Sequence, residues 1–179
     1  MNRVARILAV TLAAAALACG DSTAPVNQGS FTASITGDLT ASLTGRAVFG
    51  VATQGTNQGF VIALERQGSS QVDRDVIVMG RLNTQRPGEG TYPIVSCVGG
   101  TCGADDFDAG YVFYRTSGDF AFFSSDAGTL TITESSAEKI VGTITFDGVW
   151  VLSSESVTAR DITITASFTA VPGALPSVG

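Results

Sequence analysis

Apolar and polar residues alternate with a period of two along most of the chain after residue 29. The first such stretch interleaves Phe31, Ala33 and Ile35 with serine and threonine, and the same period resumes after Gly37-Asp38. Successive side chains of a β-strand point to opposite faces, so this period indicates half-buried strands. A helix would instead repeat its apolar residues at three and four positions, and the sequence from residue 30 onward lacks that pattern.

The alternation predicts a chain of strands joined by short turns. Valine, isoleucine and phenylalanine on one face, with threonine and serine on the other, suit antiparallel sheets that pack on one side. We therefore predict an all-β fold, an antiparallel β-sandwich, with a closed lipocalin-like β-barrel as the alternative. Strands are predicted at residues 31–36, 39–49, 60–64, 72–81, 91–95, 110–115, 120–124, 129–134, 140–146, 149–152 and 162–170, and turns at 117–119 and 126–128.

One hairpin can be predicted residue by residue. If residues 117–118 form a two-residue turn, Phe113 lies opposite Phe122 and Val112 lies opposite Phe123. Both faces of this hairpin would then be apolar, which suits the central strands of a sandwich or of a ligand-holding barrel.

The last predicted strand has the clearest assignment of faces. A period of two allows only one of its two sets of residues into the core. We expect the core set to be Ile164, Ala166 and Phe168, and the outward set to be Thr163, Thr165 and Ser167.

The N-terminus carries the signature of an export signal. Arg3 and Arg6 precede an apolar run over residues 7–17, and Ala16-Leu17-Ala18 supplies the small residues of a cleavage site before Cys19. The apolar run is too short to span a bilayer as a helix, which needs about 20 apolar residues. We therefore predict a cleaved leader.

This stretch resembles the lipobox of bacterial lipoproteins. The resemblance implies that Cys19 becomes the first mature residue and carries the lipid, and that Gly20 permits sorting to the outer membrane. The lipobox usually has leucine where this chain has Ala16, so an ordinary signal peptidase and a secreted or periplasmic protein are the alternative. The predicted division is a lipoprotein signal peptide over residues 1–18, a flexible tether over 19–29, an all-β domain over 30–171 and a C-terminal tail over 172–179.

The chain is acidic, with 16 aspartates and glutamates against 10 lysines and arginines. Two of those arginines lie in the leader, so the mature chain would be more negative than the −6 of the full sequence. Such a surface repels nucleic acid and anionic headgroups, because binding to them depends on clustered lysine and arginine. We predict attachment to the membrane through the lipid anchor, an envelope protein or a glycan as partner, and no nucleic acid.

Two cysteines remain after Cys19. Cys97 and Cys102 enclose Gly99-Gly100, which lets the chain double back until the sulfurs meet, and an exported protein occupies a compartment that permits disulfides. We therefore predict a disulfide that closes a surface loop. A thioredoxin-type redox motif has only two residues between its cysteines, so that interpretation fits less well.

The chain contains no histidine. This excludes serine–histidine triads, cysteine–histidine dyads and histidine-ligated metals. The glycines at 88–90 and 99–100 lack the further glycines and the helix that a phosphate-binding loop needs. A binding or structural module is therefore a stronger hypothesis than an enzyme.

Carboxylates are the remaining candidates for chemistry. Asp105, Asp106 and Asp108 lie within four positions beside the cysteine loop, and Ca²⁺ prefers oxygen ligands of this kind. Their spacing matches no EF-hand, so an ordinary acidic loop is the competing interpretation. A carboxylate-based hydrolase is a further hypothesis, since glycoside hydrolysis needs a carboxylate pair about 5 to 10 Å apart.

Three aromatic residues, Trp150, Tyr111 and Tyr114, are candidate ligand-binding residues. Amphipathic rings that are exposed on a sheet face can stack on sugar rings. The competing interpretation is packing in the core or at its rim, because the chain has a single tryptophan and only three tyrosines.

The chain also resembles a group of small bacterial envelope lipoproteins that have an all-β domain and no assigned activity. The resemblance rests on the lipobox-like leader, the opening residues 29–37, and the closing pattern over 128–146 and 162–170. It implies a β fold at the cell envelope and assigns no catalytic residue. We predict an envelope-tethered binding or structural module. The alternatives are a lipocalin-like carrier of an apolar ligand and, third, a carbohydrate-binding or carboxylate-based hydrolase domain.

Overall fold

The computed structural model describes residues 28–67, 73–97, 102–154 and 157–176. The predicted leader, Cys19 and most of the predicted tether lie outside these ranges. Within them, no helix is long and apolar enough to cross a bilayer. The described residues form nine strands: β1 (Ser30–Gly37), β2 (Ala41–Gln54), β3 (Asn57–Gln67), β4 (Arg74–Arg81), β5 (Gly90–Val95), β6 (Asp108–Tyr114), β7 (Phe120–Ser135), β8 (Ile140–Ser153) and β9 (Asp161–Pro172).

Eight of these strands form a closed antiparallel ring. Each pairs with the next in the order β1, β2, β3, β4, β6, β7, β8 and β9, and β9 pairs again with β1. The pairing of β7 with β8 joins what would otherwise be the two edges of an open sheet. The structure is therefore the closed barrel that the sequence offers as the alternative, in place of the predicted sandwich. Residue alternation is the same in both architectures and cannot separate them.

The closure depends on two long strands, β7 and β8. The sequence predicts four shorter strands here, with a turn at 126–128, and that prediction is wrong. The chain continues through Asp126 as a bulge, where the register against β8 shifts between Ser125 and Ala127. A bulge bends a strand without ending it, which lets these two strands curve along the barrel.

The ninth strand, β5, lies beside the ring. It pairs with the second half of β7, while β6 pairs with the first half. The chain then turns back, so that Ile94 forms a parallel bridge to Phe107. Phe107 is fully buried and thus anchors the segment that leads into β6 to the core.

The β6–β7 hairpin has a longer turn than the sequence predicts. The turn covers residues 115–119 and contains Gly118 at a φ of 91°, a conformation that glycine adopts without strain. Val112 therefore lies opposite Phe122 rather than opposite Phe123, one position away from the predicted register. The prediction that both faces are apolar is confirmed, because Phe123 packs in the core and Phe122 lies on the outer face.

Inward side chains fill the barrel. A ring of eight strands is just wide enough to be filled by its own side chains or to hold one small ligand. Here the largest fully buried side chains, among them Tyr111, Phe107, Phe123 and Phe146, pack into one core. The predicted faces of β9 are confirmed. Its buried set includes Ile164, Ala166 and Phe168, whereas Thr165 and Ser167 are exposed and Thr163 is half-buried.

The two ends of the barrel carry different parts of the chain. One end, which we call the N-terminal end, holds the start of β1, the β2–β3 turn and residues 82–89. The opposite end holds the connections at 38–40, 115–119 and 157–160. A tether that precedes β1 would attach at the N-terminal end.

Candidate functional site

The outer face of β1, β9 and the first half of β8 carries hydroxyl groups, whereas the end of β8 exposes apolar residues from Val149 to Leu152. The register aligns Thr32 with Ser167 across β1 and β9, and Ser167 with Thr143 across β9 and β8. We call this surface the hydroxyl wall. Its exposed members include Thr32, Ser34, Thr143, Thr145, Thr165 and Ser167. It is the solvent-facing surface that threonine-rich strands ordinarily present.

The outer face of β3, β4, β6 and the start of β7 is largely apolar instead, apart from Glu65, which lies beside Val76 and pairs with Arg46. We call this surface the apolar wall. Its members are Val61, Ala63, Val76, Val78, Val112 and Phe122. Ala63, Val76 and Val112 are buried although they lie outside the central core. Part of this wall is therefore already covered within the chain, on the outside of the barrel.

A groove of about 380 Å³, which we call the outer groove, opens in the apolar wall towards the N-terminal end. Its lining includes Val61, Val78, Leu82 and Phe122, and Leu82 is 58% exposed. Gly80 also lines it, and a Cβ placed on Gly80 would lie 3.7 Å from its nearest neighbours, an ordinary contact distance. The groove therefore has room above Gly80 for a side chain.

One carboxylate, that of Asp108, lines the outer groove. Ser125 Oγ donates a hydrogen bond of 2.9 Å to Asp108 Oδ1. Burial raises the pKa of this carboxyl above its ordinary value, against the hydrogen bond from Ser125, which lowers it. Among the described residues, no lysine or arginine forms an ion pair with Asp108. A positive charge brought into the groove would therefore stabilise the ionised carboxylate.

Arg81 also lines the outer groove, but its guanidinium is held by other groups. Nη1 lies 3.3 Å from Asp105 Oδ1, and Nη2 donates a hydrogen bond of 2.7 Å to the carbonyl of Gln85. The guanidinium carbon lies 5.4 Å from the centre of the Phe107 ring, a cation–π contact. The buried Nε has no hydrogen-bond partner within the described part of the chain. Arg81 thus fastens the segment between β4 and β6 to the end of the barrel.

The three predicted calcium ligands do not form one site. Asp105 pairs with Arg81, Asp106 accepts a hydrogen bond from the backbone N of Gly103, and Asp108 lines the outer groove. Over the ranges that the structure describes, no group of three or more cysteine, aspartate or glutamate side chains could hold a metal ion. This geometry lends the calcium hypothesis no support.

Asp75 is the centre of a buried charge cluster that the sequence analysis missed. Its Oδ1 accepts hydrogen bonds from Tyr111 Oη at 2.5 Å and from Arg115 Nη2 at 2.8 Å, and its Oδ2 accepts one from Arg66 Nε at 2.6 Å. Burial, followed by the nearby carboxylate, raises the pKa of the Tyr111 hydroxyl. The sequence did contain a signal of this buried carboxylate. Asp75 lies two positions before Ile77, so the alternation places both residues on the inward face of the same strand. The cluster thereby links β4 to β3, to β6 and to the turn that follows β6.

The predicted ligand-binding aromatics do not share a surface. Tyr111 is fully buried, so its ring cannot stack on a sugar. Tyr114 lies on the outer face, stacked on Phe120 with 6.5 Å between ring centres. Trp150 is 40% exposed and lies 4.4 Å from the guanidinium carbon of Arg160, on a different strand from the two tyrosines. A sugar-binding platform made of the three predicted rings is therefore not formed.

Cys97 and Cys102 form the predicted disulfide, with their Cα atoms 5.7 Å apart. Residues 98–101, between them, lie outside the described residues. The bond ties the end of β5 to the segment that leads to Asp105 and the outer groove.

No protein-family model matches the chain, and no curated protein or solved structure matches it either. The functional interpretation therefore rests on the residues and geometry of the chain itself.

Proposed function

We propose that the chain is an envelope lipoprotein whose barrel is a binding module, with the outer groove of the apolar wall as its contact surface. The membrane attachment is supported by the export signature and by the lipobox resemblance around Cys19. The binding role is supported by the outer groove, which opens in the apolar wall. Closure of the barrel does not require this outer wall to be apolar.

One observation carries the binding role: the barrel is filled inside and grooved outside. Tyr111, Phe107 and Phe123 occupy the interior, and a ligand there would have to displace side chains whose burial is worth about 3 kcal/mol or more each. The outer groove, at about 380 Å³, is no larger than the depressions of about 500 and 390 Å³ on the hydroxyl wall, and it differs from them in its lining by Val61, Val78, Leu82 and Phe122. Ligand sites are predominantly lined by apolar side chains. Leu82 is exposed at this groove, and apolar surface that a folded chain leaves exposed beside a groove can serve as a contact with another molecule.

The tether would hold this groove on the membrane side of the barrel. β1 begins at Ser30, at the same end as Leu82 and the outer groove. An extended chain spans at most about 3.5 Å per residue, so residues 19–29 reach no more than roughly 40 Å from the lipid. The groove would therefore meet envelope components close to the membrane surface.

A lipocalin-like carrier of an apolar ligand is the second candidate. The closed ring of eight antiparallel strands is the architecture that such carriers use. In a carrier the ligand lies along the barrel axis, so the two candidates place their ligands on opposite sides of the same wall.

Cell fractionation tests the lipid attachment. Expressed in a bacterial host, the full chain should enter the membrane fraction and incorporate labelled palmitate, because the acyl chains hold it there. The variant Cys19→Ser should do neither. A wild-type protein that is exported without incorporating palmitate would overturn the lipoprotein proposal in favour of ordinary secretion.

Oleate titration separates the two binding roles. We expect the mature chain to show no saturable one-to-one uptake of oleate along its axis in equilibrium dialysis, because the interior is already filled. The variant Gly80→Val, which fills the outer groove, is the control for binding on the outside. Stoichiometric uptake that survives Gly80→Val would overturn the contact-surface proposal and establish the carrier.

A further inference from the structure

We infer that the outer groove receives an extended segment of a partner protein, which places an aliphatic side chain over Gly80 and a lysine or arginine beside Asp108. The inference deepens the proposed binding role and rests on it. It specifies the partner by its chemistry, as an apolar segment with a basic residue.

The lining of the groove fits an aliphatic side chain. Val61, Val78 and Phe122 present apolar groups to it, and the nearest atoms to an added Cβ on Gly80 are 3.7 Å away. Leu82 stands at the same site with more than half of its side chain in solvent. A segment seated here would remove apolar surface on both partners from water, which is the main favourable term in association.

The chain itself already places such a segment on its outer face. Beyond β9, Gly173 N donates a hydrogen bond of 3.2 Å to the carbonyl of Phe49 in β2. Leu175 Cγ then lies 3.8 Å from the position of a Cβ on Gly50. A leucine over an outward-facing glycine is therefore an arrangement that this barrel uses within its own structure. The outer groove offers the same combination two strands away, at Gly80.

The charges around the groove favour a basic partner. Its charged lining residues are Asp108 and Arg81, and the Arg81 guanidinium is paired with Asp105. With Arg81 held by Asp105, Asp108 is the charged side chain of the described lining that has no ion pair, on a chain whose formal net charge is −6. A lysine or arginine beside Asp108 would satisfy a half-buried carboxylate that has hydrogen bonds but no ion pair among the described residues. An acidic segment would be repelled.

Two synthetic peptides that differ in one residue test the inference. The peptides acetyl-GLVLKG-amide and acetyl-GLVLEG-amide are titrated separately into the mature chain from Gly20, and the backbone amides of Gly80 and Gly110 report binding by NMR. We expect the lysine peptide to bind at least about tenfold more tightly than the glutamate peptide. The lysine is attracted to the partly desolvated carboxylate of Asp108, whereas the glutamate is repelled by it. Asp108→Asn should reduce that ratio to within about twofold.

The variant Gly80→Val fills the outer groove and should therefore abolish binding of both peptides. Its matched control is Thr165→Val, which adds the same side chain to the hydroxyl wall and should leave both affinities unchanged. Leu82→Ser, which leaves the strand backbone unaltered, should weaken both peptides and covers the case in which Gly80→Val fails to fold.

Equal affinities for the two peptides, or a preference that survives Asp108→Asn, would overturn the inference of a basic segment. Absence of binding by either peptide, with oleate also excluded from the axis, would overturn it as well and would leave the proposed binding role standing. Uptake of oleate along the axis would instead overturn the proposed function itself.

Discussion

The two halves of the outer wall are built on one ring of strands and have opposite chemistry. On β8 and β9, the outward residues Thr143 and Thr165 are exposed hydroxyls. On β4 and β6, the outward residues Val76 and Val112 are aliphatic and buried. The inner faces of both halves are apolar and belong to one core.

Closure of the barrel accounts for the inner faces and leaves the outer ones free. A ring buries one face of each strand, so the other face needs no apolar residue for folding. An outer face that meets only solvent is expected to carry polar residues, as the hydroxyl wall does. In the apolar wall, Ala63, Val76 and Val112 are already buried within the chain, and the apolar surface left in solvent lies around Leu82 and the outer groove, where we propose contact with a partner.

The largest expected effect belongs to the inner face, where the two halves agree. Phe168→Ala should lower the free energy of unfolding by about 3 to 5 kcal/mol, because it removes a buried ring and leaves a cavity. Thr165→Ala, on the outward face of the same strand, should stay within about 1 kcal/mol. Urea unfolding midpoints of the two variants decide, and a costlier Thr165→Ala would mean that the faces of β9 are reversed.

The next effect compares a charge inside the ring with one outside it. Asp75→Ala removes the acceptor shared by Arg66, Arg115 and Tyr111 and should cost about 2 to 4 kcal/mol, somewhat below the loss for a fully buried pair, because the arginines are partly exposed. The control Asp147→Ala alters an exposed carboxylate and should cost less than about 1 kcal/mol. Similar thermal midpoints for the two variants would contradict a stabilising role for the cluster.

A smaller effect on stability is expected when a hydroxyl is placed in the apolar wall and a methyl in the hydroxyl wall. These two substitutions test directly whether the two walls differ. Val112→Thr buries a hydroxyl in the apolar wall and should cost about 1 to 2 kcal/mol. Thr143→Val adds a methyl to the hydroxyl wall and should change stability by no more than about 0.5 kcal/mol. Equal costs in urea unfolding would show that the two walls are equivalent.

The smallest effect depends on pH and has opposite signs at two carboxylates. Burial raises the pKa of Asp108 in the folded chain, so its stabilising contribution is complete below the unfolded pKa, near 3.8, and is lost as the pH rises through the folded pKa. Asp108→Asn should therefore raise the thermal midpoint at pH 7 and leave it unchanged at pH 3. A lowered midpoint at pH 7 would contradict the effect of burial.

Asp38 is the matched control. Its Oδ2 accepts hydrogen bonds from the backbone amides of Arg160 and Asp161, which lower its pKa. Its contribution is present above the unfolded pKa of about 3.8 and is lost as the pH falls through the folded pKa. Asp38→Asn should therefore lower the thermal midpoint at pH 7, and the difference from wild type should shrink at pH 2. A difference that grows as the pH falls would reverse the assigned sign.

Sequence reasoning succeeded where one local rule decides the outcome. The period of two assigned the faces of Ile164 and Thr165, and the glycines between Cys97 and Cys102 predicted their disulfide. It failed where non-local pairing decides. Whether β8 meets β7, and whether Asp126 ends a strand or bulges, depends on residues far apart in the chain.

The candidate site was harder to predict than the strands. Asp108 was singled out as a calcium ligand, whereas its place in the outer groove depends on the register of β4, β6 and β7. The apolar wall had a visible signal in the continuous run from Val76 to Met79, where both faces are apolar. That run suits a central strand of a sandwich equally well, so the fold had to be known first.

A methyl NMR spectrum tests the central claim most directly, because it reports on three regions of the barrel at once. The methyl groups of Ile77 report on the interior, those of Val78 on the apolar wall and that of Thr143 on the hydroxyl wall. The mature chain, labelled at these methyl groups, is titrated with acetyl-GLVLKG-amide and then with oleate. The account predicts saturable shifts at Val78 with the peptide, and unchanged signals at Ile77 and Thr143 with either ligand. Shifts centred on Ile77 would show that the barrel binds inside, and shifts centred on Thr143 would place the contact surface on the other wall.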